Sequence, residues 1–125
     1  MSNDPRTVVE KFLLTVRSGR EPERSVEFMA ASVVAHQVIS EEHHDVVRTP
    51  AEYEEHVLDM KREYGDFEFE IEELICEGAK VYARWRQRGN GVTQVTSCVY
   101  LVQDGLITEY WIQIDRLGLQ LQSPK

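Results

Sequence analysis

The second half of this chain is a succession of alternating stretches separated by short turns, and that pattern commits it to an antiparallel meander. Phe67, Phe69 and Ile71 alternate with Glu68, Glu70 and Glu72, the period of two expected of a half-buried strand. Glu77-Gly78-Ala79-Lys80 reads as a turn, after which Val81, Ala83 and Trp85 alternate with Tyr82, Arg84, Arg86 and Arg88. Gly89-Asn90-Gly91 is a hairpin turn, Val92 to Gln103 the next long strand, Asp104-Gly105 the next turn, and Leu106 to Asp115 the last strand. Asn-Gly and Asp-Gly accept the positive φ that tight hairpins demand. The β-rich character continues past Asp115 to Gln122.

The first half reads differently. Asp4 can cap a helix that has Pro5 at its first position. Val8, Phe12 and Val16, with Val9 and Leu13 beside them, give that helix one apolar face, and Ser18-Gly19 ends it. Pro22 opens a second, short helix through Met29, and Ser32 to Ile39 has the look of a strand. Ser40 to Arg48 is polar and loop-like. Thr49-Pro50-Ala51-Glu52 is a capping-box sequence, and the helix it opens carries Tyr53, Val57, Met60 and Tyr64 on one stripe before Gly65-Asp66 stops it. Helices first and sheet last predict an α+β fold, helices on one face of a largely antiparallel sheet.

A length of 125 residues suits a single domain, 1–125, that can bury a core without staples. Acidic residues outnumber basic ones, 22 to 14, for a formal charge of −8. Such a surface repels phosphate backbones and anionic membranes, so neither nucleic acid nor membrane is an expected partner. No apolar run reaches bilayer length, and the first residues lack a basic segment followed by an apolar one. Cys76 and Cys98 are far apart without CxxC spacing, which predicts free thiols and a cytoplasmic protein.

Asp115 stands four residues after Trp111, so in a strand the two share a face. A carboxylate held near an indole can have its pKa moved by desolvation, as general acid/base chemistry requires. Plain alternation groups Asp115 with Ile107, Glu109, Trp111 and Gln113, against the more apolar Leu106, Tyr110, Ile112 and Ile114. On that phase Asp115 looks outward; a β-bulge would reverse it. Arg84, Arg86 and Arg88 are placed to pair across strands with Glu68, Glu70 and Glu72 as a solvated ladder. The run Glu41-Glu42-His43-His44-Asp45 contains metal-ligand types, but adjacent histidines do not make the one-face pair of a helical zinc site. No metal site is expected there.

The order of elements, with Val34-Ala35-His36, Asp66 to Leu74, Glu77 to Gly89, and above all Asp104-Gly105-Leu106-Ile107-Thr108-Glu109-Tyr110-Trp111 followed by Asp115 and Leu117-Gly118-Leu119, resembles the SnoaL-like polyketide cyclases of the nuclear transport factor two-like superfamily. The resemblance implies a cone-shaped, curved antiparallel sheet with helices on its concave side, and a homodimer through the sheet's outer face. It implies cofactor-independent acid/base chemistry on a small hydrophobic or aromatic carbonyl compound, an aldol cyclisation or an isomerisation. Asp115 would be the acid/base and His36 its polar partner. Trp111, Trp85, Tyr53, Met60, His56 and Gln113 would contact the substrate. Two alternatives stay open: a non-catalytic ligand-binding or dimerisation module, since fold does not fix function, and a hydrolase or dehydratase in which His36 or His56 faces Asp115. The chain departs from the family in its short connection after Arg88-Gly89, which is Asn90-Gly91 alone.

Overall fold

A computed structural model describes residues 4–42 and 44–123. Helix α1, Pro5–Phe12, begins where the Asp4 carboxylate accepts the Thr7 amide at 3.2 Å, with Pro5 in the first turn. It continues as a π-helical turn, Leu13–Arg17, closed by the Ser18 amide donating to the Leu13 carbonyl at 2.8 Å. This turn holds Arg17 inside, beside Leu13 and Val16. A 3₁₀ turn, Pro22–Arg24, leads into α2, Ser25–Phe28, and directly into strand β1, Met29–Gln37.

The stretch expected to be a loop before Thr49 ends in a strand, β2, His44–Arg48, antiparallel to β1 with His36 opposite Asp45. Its polar composition hid it, but a short edge strand rich in polar side chains is a common way to finish a sheet. His43, and with it part of the acidic-histidine run, lies outside the described residues. Helix α3, Pro50–Tyr64, starts with the expected capping box: Glu52 donates its amide to Thr49 Oγ1 at 3.1 Å, and its carboxylate accepts the Thr49 amide at 2.9 Å.

The meander follows as β3, Glu68–Glu77, β4, Lys80–Gly89, β5, Val92–Gln103, and β6, Leu106–Ile114. The sheet order is β2-β1-β6-β5-β4-β3, antiparallel except where β1 runs parallel to β6. The Asn90-Gly91 hairpin is pinned from below: Asn90 donates to the Glu63 carbonyl at 2.9 Å, and Gly89 lies so close that a Cβ there would be 2.4 Å from the Tyr64 carbonyl oxygen. After β6 the chain turns into helix α4, Arg116–Gln122, where the sequence suggested continuing β structure.

Besides a register shift in β1 between Met29 and Val34, bulges on β3 and β6 set which residues face inward. On β3 the register slips between Ile71 and Glu73, so Phe69 and Ile71 pack on the core and, one residue out of phase, so do Leu74 and Cys76. On β6 the register slips where Leu101 pairs with Glu109 but Val102 with Ile107, so Ile107 and Tyr110 are both buried. The inner face of the curved sheet closes on α1, the π turn and α3 around Val9, Phe12, Leu13, Tyr53, Val57 and Trp85. The architecture is the α+β cone that the resemblance implied.

Candidate functional site

The inner face carries more polar chemistry than a core needs. Two cross-strand pairs, Trp85 with Thr96 and Gln87 with Gln94, all point inward and are buried. Arg17 reaches them from the π turn, 2 % exposed. Its Nη1 donates to Gln87 Oε1 at 2.8 Å and its guanidinium carbon lies 5.2 Å from the centre of the Trp85 ring. Trp85 Nε1, Thr96 Oγ1 and Gln94 Oε1 have no hydrogen-bond partner. Buried polar atoms are nearly always satisfied, so these orphans call for an explanation.

Next to this patch stands an aromatic wall. Tyr53 lies 5.4 Å from Phe12 and 6.2 Å from Tyr110, and Tyr100 lies 5.7 Å from both Phe12 and Tyr110, between ring centres. His56 is one helical turn from Tyr53, at 5.8 Å. Burial pushes the His56 imidazole down to about 4, with Arg48 and Arg17 adding to the shift. It is therefore neutral at neutral pH. Burial pushes Tyr53 up to about 12 and raises Tyr110, Tyr100 and the Cys98 thiol, which keeps all of them protonated.

The predicted site residues divide between the two faces. Tyr53, Trp85, Met60 and His56 lie on the inner side, with Tyr53 and Trp85 buried and Met60 packed at the edge of the core. His36 and Trp111 lie on the outer face, opposite the inward Ala35 and Tyr110. They stack on each other at 5.1 Å and 12°. His36 Nδ1 is 2.9 Å from Asp45 Oδ1 and Nε2 is 2.5 Å from Glu109 Oε2, so its polar partners are these two carboxylates and not Asp115. The hydrogen bond that His36 donates to Glu109, and after it the one to Asp45, raises the His36 pKa against the opposing effect of burial.

Asp115 keeps the outward phase that plain alternation gave it. The β6 bulge falls at Thr108, near the start of the strand, where it turns Ile107 inward and leaves the far end alone; β6 itself stops at Ile114. Asp115 is exposed and caps α4, its Oδ1 accepting the Gly118 amide at 2.9 Å. A Cβ on Gly118 would sit 2.2 Å from Asp115 Oδ2, so the Asp-x-x-Gly spacing is explained by the cap. Asp115 and Gln113 line an open groove of about 410 Å³ on the outside, between Val38–Ser40 and the start of α4. The inward positions toward the end of β6 are Tyr110, Ile112 and, opposite Thr96, Ile114, none of them an acid.

Arg17, Arg48, Gln87, Gln94 and Thr96 were missed in the sequence as site residues. Their signals are simple. Gln87 continues the Val81-Ala83-Trp85 row, Gln94 and Thr96 share the row of Cys98 and Tyr100, and Arg17 continues the i, i+4 row of Val9 and Leu13. Polar residues on an apolar row are the observation to look for.

The family model of the SnoaL-like polyketide cyclases matches residues 7–123, and the chain belongs to that family. No curated protein matches it by sequence. Solved structures share the fold. A protein from Acidithiobacillus ferrooxidans assigned as a polyketide cyclase is 22% identical, over 95% of this chain and 94% of that one, with a TM-score of 0.78. One from Kribbella flavida assigned as a ketosteroid isomerase is 19% identical, over 88% and 76%, with a TM-score of 0.70. An epoxide hydrolase from M. tuberculosis is 19% identical, over 94% and 90%, with a TM-score of 0.69. At these identities the likeness shows the fold alone. Among the described residues no helix is long and apolar enough to cross a membrane.

Proposed function

We propose that the chain is a small-molecule enzyme that moves a proton on a carbonyl compound inside the cone, with His56 as the proton-transfer residue. The observation that carries this is an imidazole 5.8 Å from the Tyr53 ring of the aromatic wall, its pKa pushed down to about 4 by burial, with Arg48 and Arg17 adding to the shift. Asp115 has no part in this reading, because it is exposed and engaged in a cap.

The chemistry balances without a further reactant. His56 takes a proton from the carbon next to the carbonyl, and the C–H electron pair moves to the carbonyl oxygen. The negative oxygen forms in the field of Arg17 and Arg48, which stabilises it. The imidazolium that results is destabilised by the same cations, so it gives its proton back readily. Return to another carbon of the enolate is an isomerisation. Attack of the enolate carbon on a second carbonyl of the same molecule, with the proton delivered to that oxygen, is an aldol closure. A base with a conjugate acid near 4 is adequate, since ketosteroid isomerase drives enolisation with an aspartate of pKa about 4.6.

The unpartnered Trp85, Thr96 and Gln94 atoms also favour a second reading, binding without turnover. One measurement separates the two. Butyrophenone and 4-oxo-4-phenylbutanoate are incubated with the protein in D₂O, and exchange of their α-protons is followed by NMR. Catalysed exchange is expected, falling by about 10²-fold or more in His56→Gln and unchanged in Asp115→Asn. Exchange that survives His56→Gln removes His56 from the mechanism; binding without exchange makes the chain a binding module.

A further inference from the structure

We propose that His36 is a pH-operated latch on the outer face, holding the edge strand β2 to the sheet while its ring is protonated and releasing it when the ring is neutral. The device is separate from the chemistry of the interior.

The geometry is that of a cation between two anions. His36 stands on β1, with β2 on one side and β6 on the other. Its Nδ1 is 2.9 Å from Asp45 Oδ1 of β2, and its Nε2 is 2.5 Å from Glu109 Oε2 of β6. An ionised carboxylate only accepts, so both contacts are hydrogen bonds only when both ring nitrogens carry a proton. A neutral ring has one N–H and can keep one of the two. The flat stack on Trp111, 5.1 Å between centres and 12° apart, fixes the ring plane and keeps it aimed at both. Asp45 and Glu109 are the charged groups that face the ring from β2 and β6. Lys80 of β4 lies over Trp111, 5.4 Å from its centre, and His44 and Arg48 take the other phase of β2.

The two carboxylates are not equal. Glu109 is the nearer, and its side chain is 30% exposed against 51% for Asp45. The better-solvated acid is the one that gives up its partner at less cost. The neutral ring therefore keeps its proton on Nε2, toward Glu109, and presents the bare Nδ1 to Asp45, which turns to water. Among the described residues the Asp45 contact is the only side-chain hydrogen bond or ion pair that joins β2 to the rest of the sheet. β2 is five residues long and has a single neighbouring strand, so losing that tie leaves it with its backbone pairing to β1 alone. Such an element opens locally before the sheet does. It is also the tether of α3, since Thr49, the cap of that helix, follows Arg48 directly. The hydrogen bonds that close the latch also raise the His36 pKa. The latch is thus shut below 6.5 and opens as pH climbs through the folded value.

The full chain, labelled with ¹⁵N, is followed by NMR from about pH 5 upward. The His36 ring nitrogens report its charge and tautomer. Exchange of each backbone amide with water is divided by the rate of an unstructured chain at the same pH, which removes ordinary base catalysis. The β2 amides are expected to lose protection by about ten-fold, with the midpoint of the His36 titration, while amides of β4 and β5 keep theirs. Above that midpoint the ring should be the Nε2–H tautomer. Asp45→Asn is expected to hold β2 equally at every pH while His36 still titrates, because an amide can accept from the charged ring and donate to the neutral one. Protection of β2 that stays flat across the His36 titration overturns the latch. So does an Nδ1–H tautomer, a loss shared equally by β4 and β5, or a pH dependence that survives Asp45→Asn.

Discussion

The two faces of one sheet treat charge in opposite ways. On the outer face charges stand beside their opposites: Glu72 accepts from Arg84 at 3.4 Å and Arg86 at 2.9 Å, Arg88 lies 3.8 Å from Glu68, and His36 sits between Asp45 and Glu109. On the inner face the described residues offer Arg17 with amides, a hydroxyl and an indole, and no acid. The outer pairs are solvated and individually contribute little, typically under about 1 kcal/mol. Burying Arg17 without a counter-charge is costly, offset in part by its hydrogen bond to Gln87 and its contact with the Trp85 ring. A balanced face is explained by folding; on the inner face Arg17 is held by neutral groups alone.

The comparison is broken most easily at its two tryptophans. Trp85→Ala removes a fully buried ring along with the surface on which Arg17 rests, and is expected to cost about 3–5 kcal/mol in urea unfolding. Trp111→Ala removes a half-exposed ring and is expected to cost about 1 kcal/mol. The homodimer that the family resemblance suggests would use the outer face, so sedimentation should find it weakened in Trp111→Ala and not in Arg48→Gln. Equal stability losses in the two tryptophan variants would mean that the faces are not distinct. A wild-type monomer would remove the dimer.

Two histidines sharpen the contrast through pH. Inner His56 has a folded pKa lowered to about 4 from 6.5. Between those values the unfolded chain binds a proton that the folded one does not, so stability falls as pH drops, by roughly 2–3 kcal/mol over the window. Outer His36 has a folded pKa raised above 6.5. Its stabilisation is complete below 6.5 and is lost as pH rises through the folded value, with Asp45 and Glu109 left facing a neutral ring. Urea unfolding against pH should therefore show His56→Gln flattening the acid limb and His36→Gln flattening the limb above 6.5. Imidazole titrations by NMR check the assignment. Slopes of the same sign for both residues would contradict the placement of one on each face.

How much of this could be read beforehand depends on the physics each signal reports. Alternation and turn residues located β3 to β6 to within a residue or two, because a half-buried strand must repeat every second position and a tight hairpin must place Gly or Asn at positive φ. The capping box at Thr49 did the same for α3. β2 was not legible, since its pairing with β1 is decided by a free sheet edge and not by its own side chains. The site was legible in part. Tyr53, Trp85, Met60 and His56 fall on the inner side because the α3 stripe and the β4 row are simple periods. Arg17 depended on a π turn, and Arg48 on the unseen β2. His36 and Trp111 were placed by resemblance, and the strand phase puts both on the outer face.

Asp115 is the sharpest instance, and its prediction is the smallest in size. A carboxylate four residues beyond a tryptophan has the look of a tuned acid, but its phase is outward and a glycine three residues on leaves room for only one role that the geometry displays. Asn caps helices about as well as Asp, so Asp115→Asn should change stability by no more than a few tenths of a kcal/mol. Asp115→Ala should cost about 1 kcal/mol, the usual loss of a cap. Gly118→Ala should cost at least as much, because its new methyl displaces the same carboxylate. Thermal melts of the three variants rank them, and the carbonyl-exchange assay should find all three as active as the parent. Activity lost in Asp115→Asn with the melt unchanged would return the acid/base role to the outer groove, and the inner face would then have to be explained as structure alone.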